Sequence, residues 1–233
     1  MSFLREVQLE KEFGPSLVFR EALGLLPNLI RAQSLLPRVI EAQAKLEDAV
    51  RLRAGDLSRA QKGRILLTIA ADRRDTYCVA MHSGVLSSLG ATPGQIDDLL
   101  NEYRGADLSA PDLATPHFCL KLSRNAPAVQ WEDIEPLRVS GLTDRAIFET
   151  VVVTALAIYL CTLSAGLRPE LDFQARELPS PRAGSPTETP RASSSAGIHR
   201  GWERKGPYAL EHRFYLLDSR ERTINIAGIA RFK

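Results

Sequence analysis

Three cysteines, two methionines and two tryptophans are all that occur in 233 residues, and aromatic side chains make up only 6%. So few thiols in a chain of this size exclude a disulfide framework. The opening residues, Met1-Ser2-Phe3-Leu4-Arg5, lack a charged-then-apolar leader. A reducing cytoplasm is therefore expected, with thiols that stay free. Charge of one sign is equally scarce, since 30 Lys and Arg face 28 Asp and Glu for a formal +2. With no basic stripe in the main body, a nucleic-acid partner is not expected. Uncharged runs are short as well. The longest, residues 150–167, reaches the length of a membrane span but carries Thr154, Thr162 and Ser164 and follows Glu149. A helix buried in a protein core is expected there, with no membrane partner.

What the chain does have is apolar content, 44% of its residues, enough for a substantial core without staples. Helical periodicity runs from Leu17 to Leu171, and alternating polar and apolar runs are few, so the body reads as all-α. Pro27-Asn28 breaks the opening stretch, and an amphipathic segment over 38–53 follows Leu36-Pro37 and ends at Gly55. Ser58-Arg59-Ala60-Gln61 reads as a capping box for a helix over 59–72, whose apolar positions are nearly continuous and should lie deep. The next helix ends at Gly90, and Thr92-Pro93-Gly94-Gln95 opens its successor over 95–103. Further helices are expected over 111–124, 131–139 and 144–167, the last capped by Thr143 and closed by Gly166 and Pro169. Leu57-Ser58 and Leu142-Thr143 open comparable helices, a weak two-half pseudo-repeat.

Asp75-Thr76-Tyr77-Cys78-Val79-Ala80-Met81-His82 carries the chemistry. A four-residue spacing puts thiol and imidazole on one helical face. Imidazole can hold a thiolate by charge or take the thiol's proton, and the thiolate is the form that attacks peroxides and disulfides. With Asp75 as N-cap, Cys78 falls in the first turn, where free amides and the helix dipole favour an anion, while the Asp75 carboxylate opposes ionisation. For an arbitrary spacing of this kind, a small buried cysteine and an ordinary histidine are the commoner outcome. Zinc ranks below thiol chemistry, because His117, His199, His212, Cys119 and Cys161 supply no second ligand pair at close spacing. No metal and no cofactor are expected.

The run from Arg59-Ala60-Gln61-Lys62 through Asp75 to His82, followed by Leu89-Gly90, resembles the carboxymuconolactone decarboxylase and alkylhydroperoxidase D superfamily, and most of all its peroxidase-related branch. Residues 24–33, 118–126 and 144–166 share that resemblance, which spans about 13–173. It implies an all-α, AhpD-like helical bundle that forms homo-oligomers. Active members use a C-x-x-C pair with a downstream histidine and an upstream glutamate as a proton relay. Cys78 stands in the place of the peroxide-attacking cysteine and His82 in that of the relay histidine. Asp75 holds the first cysteine's place and Gly63 the glutamate's.

The function expected is a thiol-dependent, peroxidase-like antioxidant oxidoreductase, with catalytic Cys78 attacking a hydroperoxide and His82 assisting. This reading predicts a low Cys78 pKa. With no cysteine at position 75, an external or second-subunit thiol, or Cys161 or Cys119 if either approaches, must recycle the sulfenic acid. Cys161 sits among apolar residues and reads as core. The alternatives are a carboxymuconolactone decarboxylase-like enzyme independent of Cys78, and a non-catalytic helical oligomer with a degenerate site. The partners expected are a hydroperoxide substrate, a thiol reductant or redox protein, and further copies of the chain. Composition divides the sequence into a helical domain over 1–178, a Pro/Ser-rich disordered linker over 179–200, and a basic extension over 201–233 with β-prone pieces at 214–217 and 223–226.

Overall fold

Several helices start where the sequence supplies a side-chain cap. In the computed structural model, which describes residues 2–7, 14–53, 55–102, 114–176, 178, 215–217 and 223–225, Gln61 N–H donates to Ser58 Oγ and Ser58 N–H to Gln61 Oε1, at 3.2 and 2.8 Å. The same reciprocal box joins Thr92 and Gln95, and Ala146 N–H donates to Thr143 Oγ1 at 3.0 Å. Each box satisfies amides that the first helical turn leaves without partners.

The helices in chain order are α1 (Gly14–Leu23), α2 (Asn28–Arg31), α3 (Pro37–Glu47), α4 (Arg59–Asp72), α5 (Thr76–Ser88), α6 (Pro93–Glu102), α7 (Ala114–Asn125), α8 (Trp131–Val139) and α9 (Asp144–Leu167). The all-α expectation for the body holds. Two boundaries differ from expectation. The segment over 38–53 is not one regular helix: α3 gives way to a π-helical turn, Asp48–Leu52. Gly166 does not close α9, which continues to Leu167. Arg168 then takes the left-handed conformation at φ 51°, and Pro169, with no N–H to offer, cannot extend the ladder. The expected end of α5 is met by Gly90 at φ 94°, a region glycine enters without steric cost.

Helix α4 is buried on nearly every side, as its continuous apolar run requires, with Leu66, Leu67, Ile69 and Ala70 at 1% exposure or less. It packs against α5, α7 and α9. At Gly63 a Cβ would fall 2.9 Å from Leu86 Cδ2, so the missing side chain lets α4 and α5 approach closely. The apolar run of α9 sends Val153, Leu156, Ala157, Leu160 and Cys161 into the same core.

One polar tie crosses this packing. Lys62 is buried, with Nζ 3.2 Å from Glu149 Oε2 and donating to the Arg53 carbonyl. Glu149 also accepts from the Asp56 and Leu57 amides at 3.1 Å each. Burial acts upward on its carboxyl, but those two amides and Lys62 hold it below the ordinary range. A Cβ at Gly55 would lie 2.2 Å from Glu149 Oε1, so any side chain there would displace the Glu149 carboxylate from its amide and Lys62 partners.

The chain divides into two compact units between Thr189 and Pro190. The described part of the second is an antiparallel pair, β1 (Tyr215–Leu217) and β2 (Thr223–Asn225), in register Tyr215↔Asn225, Leu216↔Ile224 and Leu217↔Thr223. These strands fall on the β-prone pieces. The linker expected over 179–200 lies outside the described residues, as does the rest of the extension.

Candidate functional site

The N-terminus of α5 is held by Asp75, whose Oδ1 accepts from Cys78 N–H at 2.7 Å and from Ser164 Oγ at 3.0 Å. The expected N-cap is present, but the Cys78 amide serves this carboxylate. Ser164 belongs to α9, so the same oxygen ties α5 to α9. The two helices bring a second thiol to Cys78: the Cys78 and Cys161 sulfurs and an Asp75 oxygen lie within 4.8 Å of one another, both cysteines being buried. Cys161 is in the core, as expected, and is also a neighbour of Cys78. The two thiols are far apart in the chain, so no local spacing announces the cluster.

The same surroundings reverse the expectation of a low Cys78 pKa. A hydrogen-bonding interaction with the neighbouring Cys161 thiol, burial, and the Asp75 carboxylate together push the Cys78 thiol well above its ordinary value. His82 does not contribute to that balance, and among the described residues no hydrogen bond joins it to Cys78. Burial, reinforced by the Arg51 charge, takes the imidazole down to about 3. It is neutral at physiological pH, which removes the option of holding a thiolate by charge, and the same shift makes it a weak proton acceptor. Its Nε2 has no hydrogen-bond partner among the described residues.

Cys78 and His82 do share a space. Both line a small cavity of about 20 Å³ whose apolar lining includes Leu29, Ile30, Met81 and Leu160. Its far wall is polar and comes from α3 and the π-turn, where Gln43, Glu47 and Arg51 follow one another along one face. Tyr159 Oη donates to Gln43 Oε1 at 3.5 Å, Gln43 Nε2 donates to Glu47 Oε1 at 2.9 Å, and Arg51 Nη2 donates to Glu47 Oε2. All three wall residues are buried, and Arg51 Nε is left without a partner among the described residues. A π-turn within such a wall fits the tendency of these turns to occur at functional sites.

Glu47 is the residue that sequence reasoning missed. Gly63, in the place expected for a relay glutamate, is packed under Leu86 and adjoins a second void with Arg51 and His82. The buried carboxylate that shares the main cavity with His82 comes from Glu47 instead. Its spacing from Gln43 and Arg51 was visible, but a polar stripe on an amphipathic helix usually faces water.

Next to Cys78 in the chain, Tyr77 joins a clamp between the start of α2 and the segment after α9. Tyr77 Oη donates to Asp172 Oδ2 at 2.6 Å and accepts from Leu29 N–H at 3.0 Å, while Asn28 N–H donates to both Asp172 oxygens. Burial and Asp172 push the Tyr77 phenol upward, so it stays protonated. Cys119, buried in the core, is pushed up to about 12 by that burial. His117 is half-buried and stands apart from the cavity lining, and His199 and His212 lie outside the described residues.

No protein-family model matches the chain, and no curated protein matches it. Solved structures do. The core of an alkylhydroperoxidase D-like, uncharacterized peroxidase-related protein from Ralstonia eutropha superposes with a TM-score of 0.66 at 22% identity, covering 73% of this chain and 92% of that one. The chain has the alkylhydroperoxidase D fold. An uncharacterized peroxidase-related protein from Silicibacter shares this AhpD-like fold at a TM-score of 0.60 and 22% identity, over 69% of this chain and 82% of its own. So does the debrominase Bmp8, as a cysteine-to-alanine variant in complex with 2,3,4-tribromopyrrole, at 0.61 and 18% identity over 74% and 94%. The resemblance drawn from residues 59–90 therefore holds for the fold.

Proposed function

We propose that this protein is a thiol-dependent, peroxidase-like oxidoreductase acting on small organic hydroperoxides. What supports the reading is the meeting of Cys78 and His82 on one mostly apolar cavity. The Cys78 sulfur attacks the terminal oxygen of the hydroperoxide, the O–O bond breaks, and the thiol's proton ends on the departing alkoxide as alcohol. Cys78 is left as a sulfenic acid. Neutral His82 serves as the proton carrier between sulfur and leaving oxygen. Leu29, Ile30, Met81 and Leu160 suit the hydrocarbon part of the substrate. A thiol reductant restores the enzyme.

The test is trapping of Cys78 sulfenic acid with a dimedone probe after cumene hydroperoxide, read by mass spectrometry in wild type, Cys78→Ser and His82→Ala. Labelling at Cys78 that rises with pH and slows at least tenfold in His82→Ala is expected. Labelling no faster than at Cys119 rules the reading out.

A second reading rests on the same apolar lining and on the debrominase among the fold's members. A thiol-driven reductive dehalogenation would turn a carbon–bromine bond and two thiols into a carbon–hydrogen bond, bromide, a proton and a disulfide. Bromide release from a bromopyrrole, without hydroperoxide turnover, would favour it.

A further inference from the structure

We propose that Cys161 is the resolving thiol of Cys78, so that oxidation of the site ends in a disulfide joining α5 to α9. The inference deepens the peroxidase reading, on which it rests for its physiological oxidant. The pairing itself can be tested without a peroxide.

Three observations carry it. The two sulfurs lie within 4.8 Å of each other, a gap that must shrink to the bonding distance of about 2 Å for a disulfide to form. The backbone around them is pinned: Asp75 Oδ1 binds the Cys78 amide and the Ser164 hydroxyl, one turn along α9 from Cys161. And Asp75 occupies the position from which a local partner would otherwise come, so the nearby thiol is the one from α9. Cys119, the remaining cysteine, lies elsewhere in the core and lines neither described cavity with Cys78.

The chemistry balances. Sulfenic acid at Cys78 is attacked by the Cys161 sulfur, the S–O bond breaks as the S–S bond forms, and the hydroxyl leaves as water with the proton of Cys161. Two electrons have then passed from the two thiols to the hydroperoxide. An external dithiol returns them by exchange. The same three donors could be asked to hold zinc, but Asp75 Oδ1 is already engaged twice and the buried Cys78 is held as a thiol, whereas zinc needs thiolates.

The experiment uses the full chain, reduced and freed of reductant, then treated separately with diamide and with cumene hydroperoxide. Each sample is quenched by alkylation under denaturing conditions and mapped by non-reducing mass spectrometry. With either oxidant the expected product is a monomer lighter by two hydrogens, with Cys78 linked to Cys161 and Cys119 alkylated. Cys161→Ser, with Cys161→Ala as a second variant should serine disturb packing, should prolong the Cys78 sulfenic acid at least tenfold and divert it to sulfinic acid. Cys119→Ser should do neither.

Cys78 and Cys161 both recovered alkylated after diamide overturn the pairing, as does a link to another cysteine or between chains. One equivalent of zinc that protects both thiols also overturns it, in favour of a metal site. A bridge formed by diamide but not by hydroperoxide keeps the pairing and removes the peroxidase reading. A sulfenic acid that forms with hydroperoxide while Cys161 stays free does the reverse.

Discussion

The two walls of the cavity are built on opposite plans. On the thiol wall, at the start of α5 and late in α9, uncharged or singly hydrogen-bonded groups cluster round one carboxylate, Asp75. On the facing wall, α3 and the π-turn bury a full ion pair, Glu47 with Arg51, extended through Gln43 to Tyr159. The first wall keeps the Cys78 sulfur protonated; the second keeps His82 neutral, because burial and the Arg51 charge both oppose the imidazolium. The difference teaches that this site is tuned by unfavourable neighbours and burial rather than by charge attraction. Cys78 and His82 rest uncharged, and the charges of the facing wall are engaged with each other.

Breaking the charged wall should have the largest effect. Glu47→Ala strands the buried Arg51 guanidinium and is expected to cost about 3–5 kcal/mol, seen as a lower urea midpoint at unchanged m-value. Replacing Glu47 and Arg51 together by leucine and methionine should recover most of that loss.

The contribution of His82 appears with pH. Its folded-state pKa, about 3, lies below the ordinary 6.5, so above pH 6.5 neither state takes the proton and stability is flat. Below it the unfolded chain binds the proton first, and stability falls by about 1 kcal/mol per pH unit until about pH 3, a loss of about 3 kcal/mol by pH 4. His82→Gln should flatten this slope in urea titrations between about pH 7 and 4.

On the thiol wall, Asp75→Asn keeps a good N-cap, so stability should change by less than about 1 kcal/mol. Removing the carboxylate charge takes away one cause of the raised Cys78 pKa, so alkylation of Cys78 at about pH 8 should quicken several-fold. Ser164→Ala, which loses the hydroxyl bound to Asp75, should cost no more than about 1 kcal/mol in thermal or urea unfolding and leave Cys78 alkylation nearly unchanged.

The sequence made one wall legible and not the other. Asp75, Cys78 and His82 fall within two turns, so helical periodicity alone puts the thiol and imidazole together. The capping boxes at Ser58 and Thr92 and the cap at Thr143 were legible for the same reason, since each is satisfied within three residues. Cys161 was not, because its approach to Cys78 depends on how α9 packs against α5. Nor was Glu47, because amphipathic spacing shows that residues share a face but not what the face meets. Gly55 read as a helix stop, and only the fold reveals that Glu149 occupies the space its side chain would take.

The burial of Cys78 has a kinetic meaning. Cys78 is 1% exposed, so a reagent in solution meets the sulfur only in molecules that have opened locally. The observed rate is then the intrinsic thiol rate multiplied by the open fraction. Mild denaturant should speed labelling long before the protein unfolds, by probes of every chemistry in equal ratio. In such a molecule, how reactive the cysteine is in a test tube reports local opening as much as the sulfur.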